Sequence, residues 1–286
     1  MRITTFTGLA LAFHLMAASA APGYACSDFY PKLPNVSKSL CDSAQLQPSG
    51  ARSVQGRALL VRDVRPNAPR LRVLVVAAMH GDEFSAASVA LHWLKLAQDA
   101  PQDTHWRFIP VLNPDGLLRQ PARRMNANGV DLNRNFPTPN WQRETKVYWE
   151  QRTRKDPRRW PGKAPLSEPE SKFFFSEMQT FKPHVIVSVH APYGVLDFDG
   201  PAMPPNRLGR LYLDQVGVFP GSLGNYGGVH HATPVVTVEL PSALRTPTEA
   251  EMLKMWSDLR VWMDQTIVPT ERHAIRSDGA TPAALK

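Results

Sequence analysis

The chain has 286 residues, a formal net charge of +8 and a hydrophobic fraction of 43%. This length allows one large domain or two small ones, and the hydrophobic content is sufficient for one sizeable core. No internal repeat is visible, and no apolar run is long enough to cross a membrane. We therefore expect no integral membrane segment. A positive charge of this size favours anionic binding partners, among which nucleic acid is the usual candidate.

Residues 1–20 have the composition of a signal peptide. Arg2 precedes a short apolar stretch, and Ala18-Ser19-Ala20 supplies the small residues that signal peptidase requires, with Ala25 as a second candidate site. Cleavage there would export the mature chain to the periplasm or the medium. Because exported proteins rarely meet nucleic acid, we expect no nucleic-acid partner.

The only two cysteines, Cys26 and Cys41, both lie beyond the predicted cleavage site. In an oxidising compartment we expect them to form a disulfide within an N-terminal segment that comprises residues 21–55. A loop of this size contributes about 3 kcal/mol in the chain-entropy model. No further cysteine is present to complete a thiolate metal site.

Apolar runs rich in β-branched residues alternate with segments that have the apolar spacing of helices. This alternation predicts an α/β fold of three layers, with helices on both faces of a mixed, largely parallel twisted sheet. Residues 271–286 lack apolar periodicity and are predicted to be a disordered tail. We predict strands at residues 58–64, 72–79, 106–111, 184–190 and 235–240, and helices at about 84–98, 168–181 and 248–267.

Ser167-Glu-Pro-Glu170 has the pattern of a capping box at the start of the second of these helices. Ser167 would accept a hydrogen bond from the Glu170 amide while the Glu170 side chain reaches back to the cap. Pro169 would then lie in the first turn, where a missing amide proton does no harm.

Three of the predicted strands deliver a histidine or a glutamate at their carboxyl ends. His80 and Glu83 follow the apolar run at residues 71–79, His190 ends the next buried strand, and Glu239 ends the last one. Because open α/β sheets bind ligands at the carboxyl ends of their strands, we expect these side chains to meet. Two histidines and one glutamate form a catalytic zinc set that leaves a fourth position for water. Glu239 would then be the unliganded carboxylate beside that water.

Between about residues 57 and 262 the chain resembles the zinc carboxypeptidase family, and in particular its murein peptide amidase-like branch. The segment Asn-Ala-Asn-Gly-Val-Asp-Leu-Asn-Arg-Asn-Phe-Pro at residues 126–137 is the most specific element of this resemblance. The family implies an α/β/α architecture, with a zinc peptidase catalytic domain at residues 56–270. The other motifs that carry the resemblance are His80-x-x-Glu83, Asn113-Pro-Asp-Gly116, Ser188-Val-His190 and Thr237-Val-Glu239.

The resemblance implies one zinc ion per chain, with His80, Glu83 and His190 as ligands and Glu239 as the general acid and base. Asp131 matches the residue that orients the first zinc-binding histidine in this family. A carboxylate of that kind fixes the imidazole tautomer and makes the histidine a better ligand. The alternative for Glu239 is a structural carboxylate.

The resemblance also implies that Asn133 and Arg134 bind the substrate carboxylate and that Arg124 supports the transition state. Arg123 is the alternative to Arg124, and the Arg-x-Asn spacing favours Arg124. Asn133 and Arg134 could instead only close a turn. Family members have a cis peptide bond just after the second zinc-binding histidine, so we predict a cis bond between Ala191 and Pro192.

Two features depart from the family pattern. Larger members carry a mobile tyrosine before the last catalytic strand, and Tyr226 lies too close to that strand to match it. Members that prefer basic C-terminal residues place an acid where this chain has Leu223. An ammonium group on the substrate would therefore have to be met elsewhere, and Asp197 and Asp199 are the nearest candidates.

A basic segment at residues 141–160 interleaves seven Lys or Arg residues with three tryptophans and Tyr148. We leave two interpretations open for it, a solvated loop with packed aromatic residues, or a rim that faces the cell wall or the substrate. Muropeptide stems carry several carboxylates and fit a basic surface.

The sequence therefore predicts a periplasmic or secreted zinc metallopeptidase or amidase that removes a C-terminal residue with a free carboxylate from short cell-wall peptides. The expected bond is γ-D-glutamyl–meso-diaminopimelate. The alternatives are a general L-amino-acid metallocarboxypeptidase and an acyl-amino-acid deacylase. A wall-binding protein with a dead site is a further alternative, against which the intact set of site residues argues.

Overall fold

The structure is a computed structural model that describes residues 24–100 and 103–278. A seven-stranded mixed sheet forms its centre. The order across the sheet is β1-β2-β4-β3-β5-β9-β6, and a separate small hairpin is formed by β7 and β8. The predicted signal peptide at residues 1–20 lies outside the described residues. The strands are β1 (Gln47–Arg52), β2 (Ala58–Val64), β3 (Leu71–Ala77), β4 (Thr104–Ile109), β5 (Val185–His190), β6 (Val195–Asp199), β7 (Arg207–Leu208), β8 (Leu211–Tyr212) and β9 (Val235–Glu239).

The centre of the sheet is parallel and its edges are antiparallel. β4, β3, β5 and β9 pair in parallel, whereas β1, β2 and β6 join through antiparallel pairs. β2 has the predicted bounds, and the other four predicted strands agree within two residues. The sequence did not predict β1 and β6, because neither is a continuous apolar run.

Helices cover both faces of this sheet, as predicted. Alternate residues of β3 point to opposite faces: Val73 and Val75 pack in the core beneath α3 and α7, whereas Leu74 and Val76 pack in the core beneath α6. The α-helices are α1 (Cys26–Phe29), α2 (Lys38–Ala44), α3 (Phe84–Asp99), α4 (Pro114–Leu118), α5 (Trp141–Val147), α6 (Pro169–Phe181) and α7 (Glu249–Asp278).

The predicted disulfide between Cys26 and Cys41 is present and links α1 to α2, with a Cα–Cα distance of 5.8 Å. Beyond it, β1 pairs with β2 and becomes an edge strand of the main sheet. The boundary that we placed between residues 55 and 56 therefore separates two paired strands. The Lys32 ammonium group also donates to the carbonyls of Leu117 and Leu118, which ties the N-terminal segment to α4.

The capping box predicted at the start of α6 is wrong. The helix begins at Pro169, and the Ser167 hydroxyl donates to the carboxylate of the next residue at 2.7 Å. The Glu170 carboxylate accepts from the Val54 amide at 3.1 Å and from the Asn126 side chain at 3.0 Å. Partners from distant parts of the chain have therefore replaced the local cap.

The structure continues α7 to Asp278, where we expected a disordered tail from Glu271 onward. Extending an existing helix adds one hydrogen bond for each residue fixed, so a helix can continue beyond the residues whose apolar side chains pack against the core. Residues 279–286 lie outside the described residues. Within the described part of the chain, no helix combines the length and apolarity needed to span a membrane.

Candidate active site

The residues singled out in the sequence meet at the carboxyl ends of β3, β5 and β9. His80 and Glu83 lie in the turn between β3 and α3, and His190 is the last residue of β5. His190 is paired in register with Glu239, the last residue of β9. Parallel strands end at the same edge of a sheet, so three segments far apart in sequence deliver their side chains to one place.

A tightly packed turn positions the first two of these residues. A Cβ on Gly81 would lie 2.3 Å from the backbone carbon of Gly116, so a side chain cannot be accommodated there. The buried Asn113 side chain donates to the Arg124 carbonyl at 3.0 Å and accepts from the Gly116 amide at 2.8 Å. The Asn113–Gly116 motif therefore holds the His80 turn and the Arg124 segment together.

His80, Glu83 and His190 form a compact, buried group. The Nδ1 atoms of the two histidines are 3.2 Å apart, and Glu83 lies 2.8 Å from His80 Nδ1 and 3.0 Å from His190 Nδ1. Their ligand atoms all lie within 4.8 Å of one another. Burial alone would raise the pKa of Glu83, but the two histidines hold that pKa below its ordinary range.

The outer contacts of the histidines suit a metal ion at the centre of this group. His80 Nε2 lies 3.1 Å from an Asp131 carboxylate oxygen, which can only accept a hydrogen bond from it. In the tautomer that carries its proton on Nε2, His80 Nδ1 presents a lone pair, which also suits its 3.1 Å contact with the donor Nη1 of Arg124. Ser188 makes the matching contact to His190 Nε2 at 2.9 Å. Two imidazole nitrogens and one carboxylate form a donor set that fits zinc.

Arg124, and not Arg123, reaches the site. Its guanidinium donates to Asp131 at 3.0 Å and 2.9 Å, whereas Arg123 donates to the backbone carbonyls of Asn126 and Ala127. Asp131 is completely buried, and burial would raise its pKa. The Arg124 guanidinium opposes that effect and holds the pKa of Asp131 well below its ordinary range. Asp131 is thus a charged bridge between Arg124 and His80.

Arg134 is buried, with 2% of its surface exposed, and lines the same cavity. Its guanidinium lies 4.6 Å from the ring of Phe219 and 5.3 Å from the ring of Tyr148, and its Nη1 donates to the Asn133 carbonyl at 2.6 Å. Its Nε has no hydrogen-bond partner, and no carboxylate among the described residues lies within ion-pair distance. Burial lowers the pKa of Arg134, although Asp131 acts against it.

Asn133 lies beside Arg134 on the cavity wall. Its side-chain oxygen accepts a hydrogen bond from the Leu223 amide at 2.8 Å. The side-chain NH₂ group, which can donate two hydrogen bonds, is not used in that contact. Asn133 and Arg134 therefore both have hydrogen-bond donors on this part of the cavity wall.

Glu239 is 7% exposed and lines the cavity, and its Oε2 has no hydrogen-bond partner in the described part of the chain. Burial raises the pKa of Glu239, while His190 acts in the opposite direction. A buried carboxylate with an unpaired oxygen and a raised pKa is suited to accept and return a proton.

The cavity has a volume of about 300 Å³ and is lined by both cationic and anionic side chains. Besides Arg124 and Arg134, two arginines of the basic segment, Arg158 and Arg159, line it. Asp197 and Asp199 of β6 line it as well. Burial together with the charge of Asp197 raises the pKa of Asp199 to about 6.

Sequence reasoning missed the aromatic residues around Arg134. Tyr148 is visible in the sequence only as part of the basic segment. No local pattern links Phe219 to Arg134, because the two residues are far apart in the sequence. Tyr226 packs against Phe136 at a ring distance of 5.9 Å and does not line the cavity. The predicted cis bond between Ala191 and Pro192 is present.

Comparisons with known proteins agree with this geometry. The family model for zinc carboxypeptidases matches residues 42–196, a range that includes His80, Glu83 and His190 but not Glu239. Murein peptide amidase A of Vibrio campbellii is 34% identical over 177 residues, which cover 59% of this chain and 69% of that protein. Murein peptide amidase A of Escherichia coli K12 is 36% identical over 137 residues, covering 46% of this chain and 54% of that protein.

Solved structures of zinc carboxypeptidases share the fold. The murein-tripeptide amidase of Escherichia coli O157 superposes with a TM-score of 0.56 at 25% identity, covering 75% of this chain and 97% of that chain. Carboxypeptidase A of Helicoverpa armigera superposes with a TM-score of 0.56 at 18% identity, covering 82% and 69%. The resemblance inferred from the motifs is thereby confirmed, and this chain is a hydrolase that belongs to the zinc carboxypeptidase family.

Proposed function

We propose that this chain is an exported zinc metallopeptidase that removes the C-terminal residue from short cell-wall peptides. The proposed bond is γ-D-glutamyl–meso-diaminopimelate. The observation that carries this proposal is the buried Arg134 guanidinium, which faces the same cavity as His80 and Glu83 and has no carboxylate partner among the described residues. Burying an unpaired cation is costly, and a substrate carboxylate would supply the missing counterion.

His80, Glu83 and His190 would hold one zinc ion. When bound, zinc polarises the scissile carbonyl and brings the pKa of a bound water towards ~7. Asp131 at 3.1 Å from His80 and Ser188 at 2.9 Å from His190 keep both imidazoles in the orientation that directs Nδ1 inward.

Glu239 would act as the general base and then as the general acid. It would take a proton from the attacking water and return it to the leaving amine. Its Oε2, which has no hydrogen-bond partner among the described residues, supports this role. Arg124 would donate to the oxygen of the scissile carbonyl as negative charge develops, and a donor of this kind contributes about 2.7–4 kcal/mol in other hydrolases.

Arg134 and Asn133 would make the enzyme an exopeptidase. A guanidinium fork pairs with a carboxylate through two parallel hydrogen bonds, and the Asn133 amide can add a third donor. Phe219 and Tyr148 stack on the guanidinium and limit its rotation. A peptide with a free C-terminal carboxylate would therefore be bound in one register relative to the metal ligands.

Asp197 and Asp199 support diaminopimelate as the terminal residue. A Cβ on Gly224 would lie 1.9 Å from an Asp199 carboxylate oxygen, so a larger residue at position 224 would displace this acid from its place at the cavity wall. Burial and the charge of Asp197 make Asp199 harder to ionise, and a substrate ammonium group would relieve that cost. The amidases named above act, by their names, on murein peptides.

Export is supported by two features. The disulfide between Cys26 and Cys41 suits an oxidising compartment, because thiols stay reduced in the cytosol. The composition of residues 1–20 suits a signal peptide. The proposed location is the periplasm or the medium, where wall peptides are accessible.

The proposal is tested by offering the zinc-loaded mature chain three substrates, L-Ala-γ-D-Glu-meso-diaminopimelate, an α-linked dipeptide and an N-acyl amino acid. We expect release of diaminopimelate from the first at the highest kcat/KM, and none with a Glu239→Gln variant. Preference for the α-linked dipeptide would identify a general carboxypeptidase, and preference for the N-acyl substrate a deacylase. If the zinc-loaded chain cleaves none of them, the proposed substrate class is wrong.

A further inference from the structure

The mouth of the cavity carries two arginines that the proposed reaction does not use. Arg158 and Arg159 lie in the 3₁₀ turn Pro157–Arg159 of the basic segment, and both line the cavity. Arg158 donates to Asp82 at 2.9 Å. Asp82 lies between the proposed metal ligands His80 and Glu83 in the sequence. Arg158 is therefore neutralised by a neighbour and fixed in place.

Arg159 has no such partner in the part of the chain that the structure describes. Its Nη2 lies 3.4 Å from the Tyr193 hydroxyl, and across residues 24–100 and 103–278 no carboxylate lies within ion-pair distance of its guanidinium. The side chain is half-buried, so it is partly shielded from water. Arg159 is thus a cation with unused hydrogen-bond capacity, directed at the cavity.

The depth of the charged groups decides which part of the substrate meets Arg159. Arg134 and Asp197 are 2% and 7% exposed and lie where the terminal residue would be enclosed. The side chain of Arg158 is 52% exposed, which places the 3₁₀ turn at the opening. A peptide whose last residue is inside must leave through this opening. The residue that supplies the scissile carbonyl therefore passes Arg158 and Arg159.

We propose that Arg159 binds the free α-carboxylate of the γ-linked D-glutamate on the amino side of the scissile bond. This inference rests on the proposed function. A γ-linkage leaves the α-carboxylate of the glutamate free, and that anion lies on the residue that passes the opening. Charge-assisted hydrogen bonds from a guanidinium suit this anion. Arg159 would then contribute to selection of the γ-linkage.

The test compares two tripeptides that differ only at this group. One carries γ-D-glutamate, and the other carries D-isoglutamine, in which a carboxamide replaces the α-carboxylate. For the natural chain we expect kcat/KM to be about tenfold higher for the γ-D-glutamate peptide, mainly through KM, the effect of one charge-assisted contact at a partly exposed site. In the Arg159→Gln variant, kcat/KM should fall about tenfold for the γ-D-glutamate peptide and remain unchanged for the D-isoglutamine peptide.

Three further measurements separate binding from a structural role. Calorimetry with a Glu239→Gln background should give the same tenfold difference in Kd between the two peptides. Tyr193→Phe removes the hydroxyl contact of Arg159 and should keep the preference. Arg152 is an exposed residue of the same segment and does not line the cavity. Arg152→Gln should therefore leave kcat/KM unchanged for both peptides.

Each contrary outcome has a distinct meaning. If the natural chain cleaves both tripeptides equally well, or if Arg159→Gln slows both equally, the inference about Arg159 is wrong and the proposed function stands. Loss of the preference in Tyr193→Phe or Arg152→Gln would also overturn it, because the loop or the general charge would then be responsible. If the natural chain cleaves neither tripeptide, the proposed function itself is wrong.

Discussion

Replacing Arg134 with methionine should separate substrate binding from folding. Arg134 is 2% exposed, its Nη1 donates to the Asn133 carbonyl, and its Nε has no hydrogen-bond partner among the described residues. Burial of an uncompensated charge costs several kcal/mol, and replacing it with an apolar side chain of similar length is often neutral or stabilising. We therefore expect the free energy of unfolding of Arg134→Met to be unchanged or up to about 2 kcal/mol higher.

Activity should change in the opposite direction. Two charge-assisted hydrogen bonds to the substrate carboxylate contribute about 1.5–3 kcal/mol each, so kcat/KM should fall by about 10²–10⁴-fold. Arg134→Lys is the matched control, since it keeps the charge and loses the fork, and its loss should be smaller. Zinc content should stay at one equivalent in both variants.

Thermal unfolding and steady-state kinetics on a free and a C-terminally amidated tripeptide provide the assay. The natural chain should lose as much activity on amidation as Arg134→Met loses on the free peptide, and Arg134→Met should cleave the two peptides at similar rates. If Arg134→Met unfolds several kcal/mol more easily while the natural chain cleaves amidated peptides well, Arg134 only braces its loop.

Four further predictions concern individual residues or the disulfide. Glu239→Gln should bind zinc normally and lose about 10²–10⁴-fold in kcat, because a general base is removed but no ligand. His80→Ala should fall well below one zinc per chain by elemental analysis. Asp199 has a pKa raised to about 6, so it gains a proton as the pH falls through 6, and the preference for diaminopimelate over a neutral terminal residue should decline there; Asp199→Asn should show no such decline. Replacing Cys26 and Cys41 with serine should lower the free energy of unfolding by about 3 kcal/mol in the chain-entropy model.

Each of these predictions has an outcome that contradicts it. Near-native turnover in Glu239→Gln would mean that another group moves the proton. Full zinc content in His80→Ala would place the metal elsewhere. A preference for diaminopimelate that stays constant between pH 5 and 7 would show that Asp199 does not bind the substrate ammonium group. An unchanged unfolding midpoint in the double serine variant would show that the N-terminal segment is held by packing alone.

The parallel centre of the fold and the metal group were predictable from local signals. β5 and β9 are apolar runs that end in His190 and Glu239, and His80 closely follows the apolar run of β3, so both the strands and their functional residues are visible in the sequence. The rule that ligands bind at the carboxyl ends of parallel strands then brings His80, His190 and Glu239 together. The choice of Arg124 over Arg123 also follows from spacing, because only Arg124 stands in the Arg-x-Asn pattern.

Edge strands and caps could not be predicted in the same way. β1 contains Pro48 and Gly50 and is largely exposed, and β6 alternates apolar residues with Asp197 and Asp199. Such strands form because a neighbouring strand offers hydrogen-bond partners, and the local sequence does not encode that partner. The cap of α6 failed for the related reason that Glu170 bonds to residues more than forty positions away.

The measurement that tests the central claim most directly is mass spectrometry of purified muropeptides before and after incubation with the zinc-loaded mature chain. We predict that tripeptide stems lose one diaminopimelate residue and that free diaminopimelate appears in equal amount, with no change when Glu239→Gln is used. Unchanged tripeptide stems, or stems cut at an internal bond with the terminal residue still attached, would contradict the account.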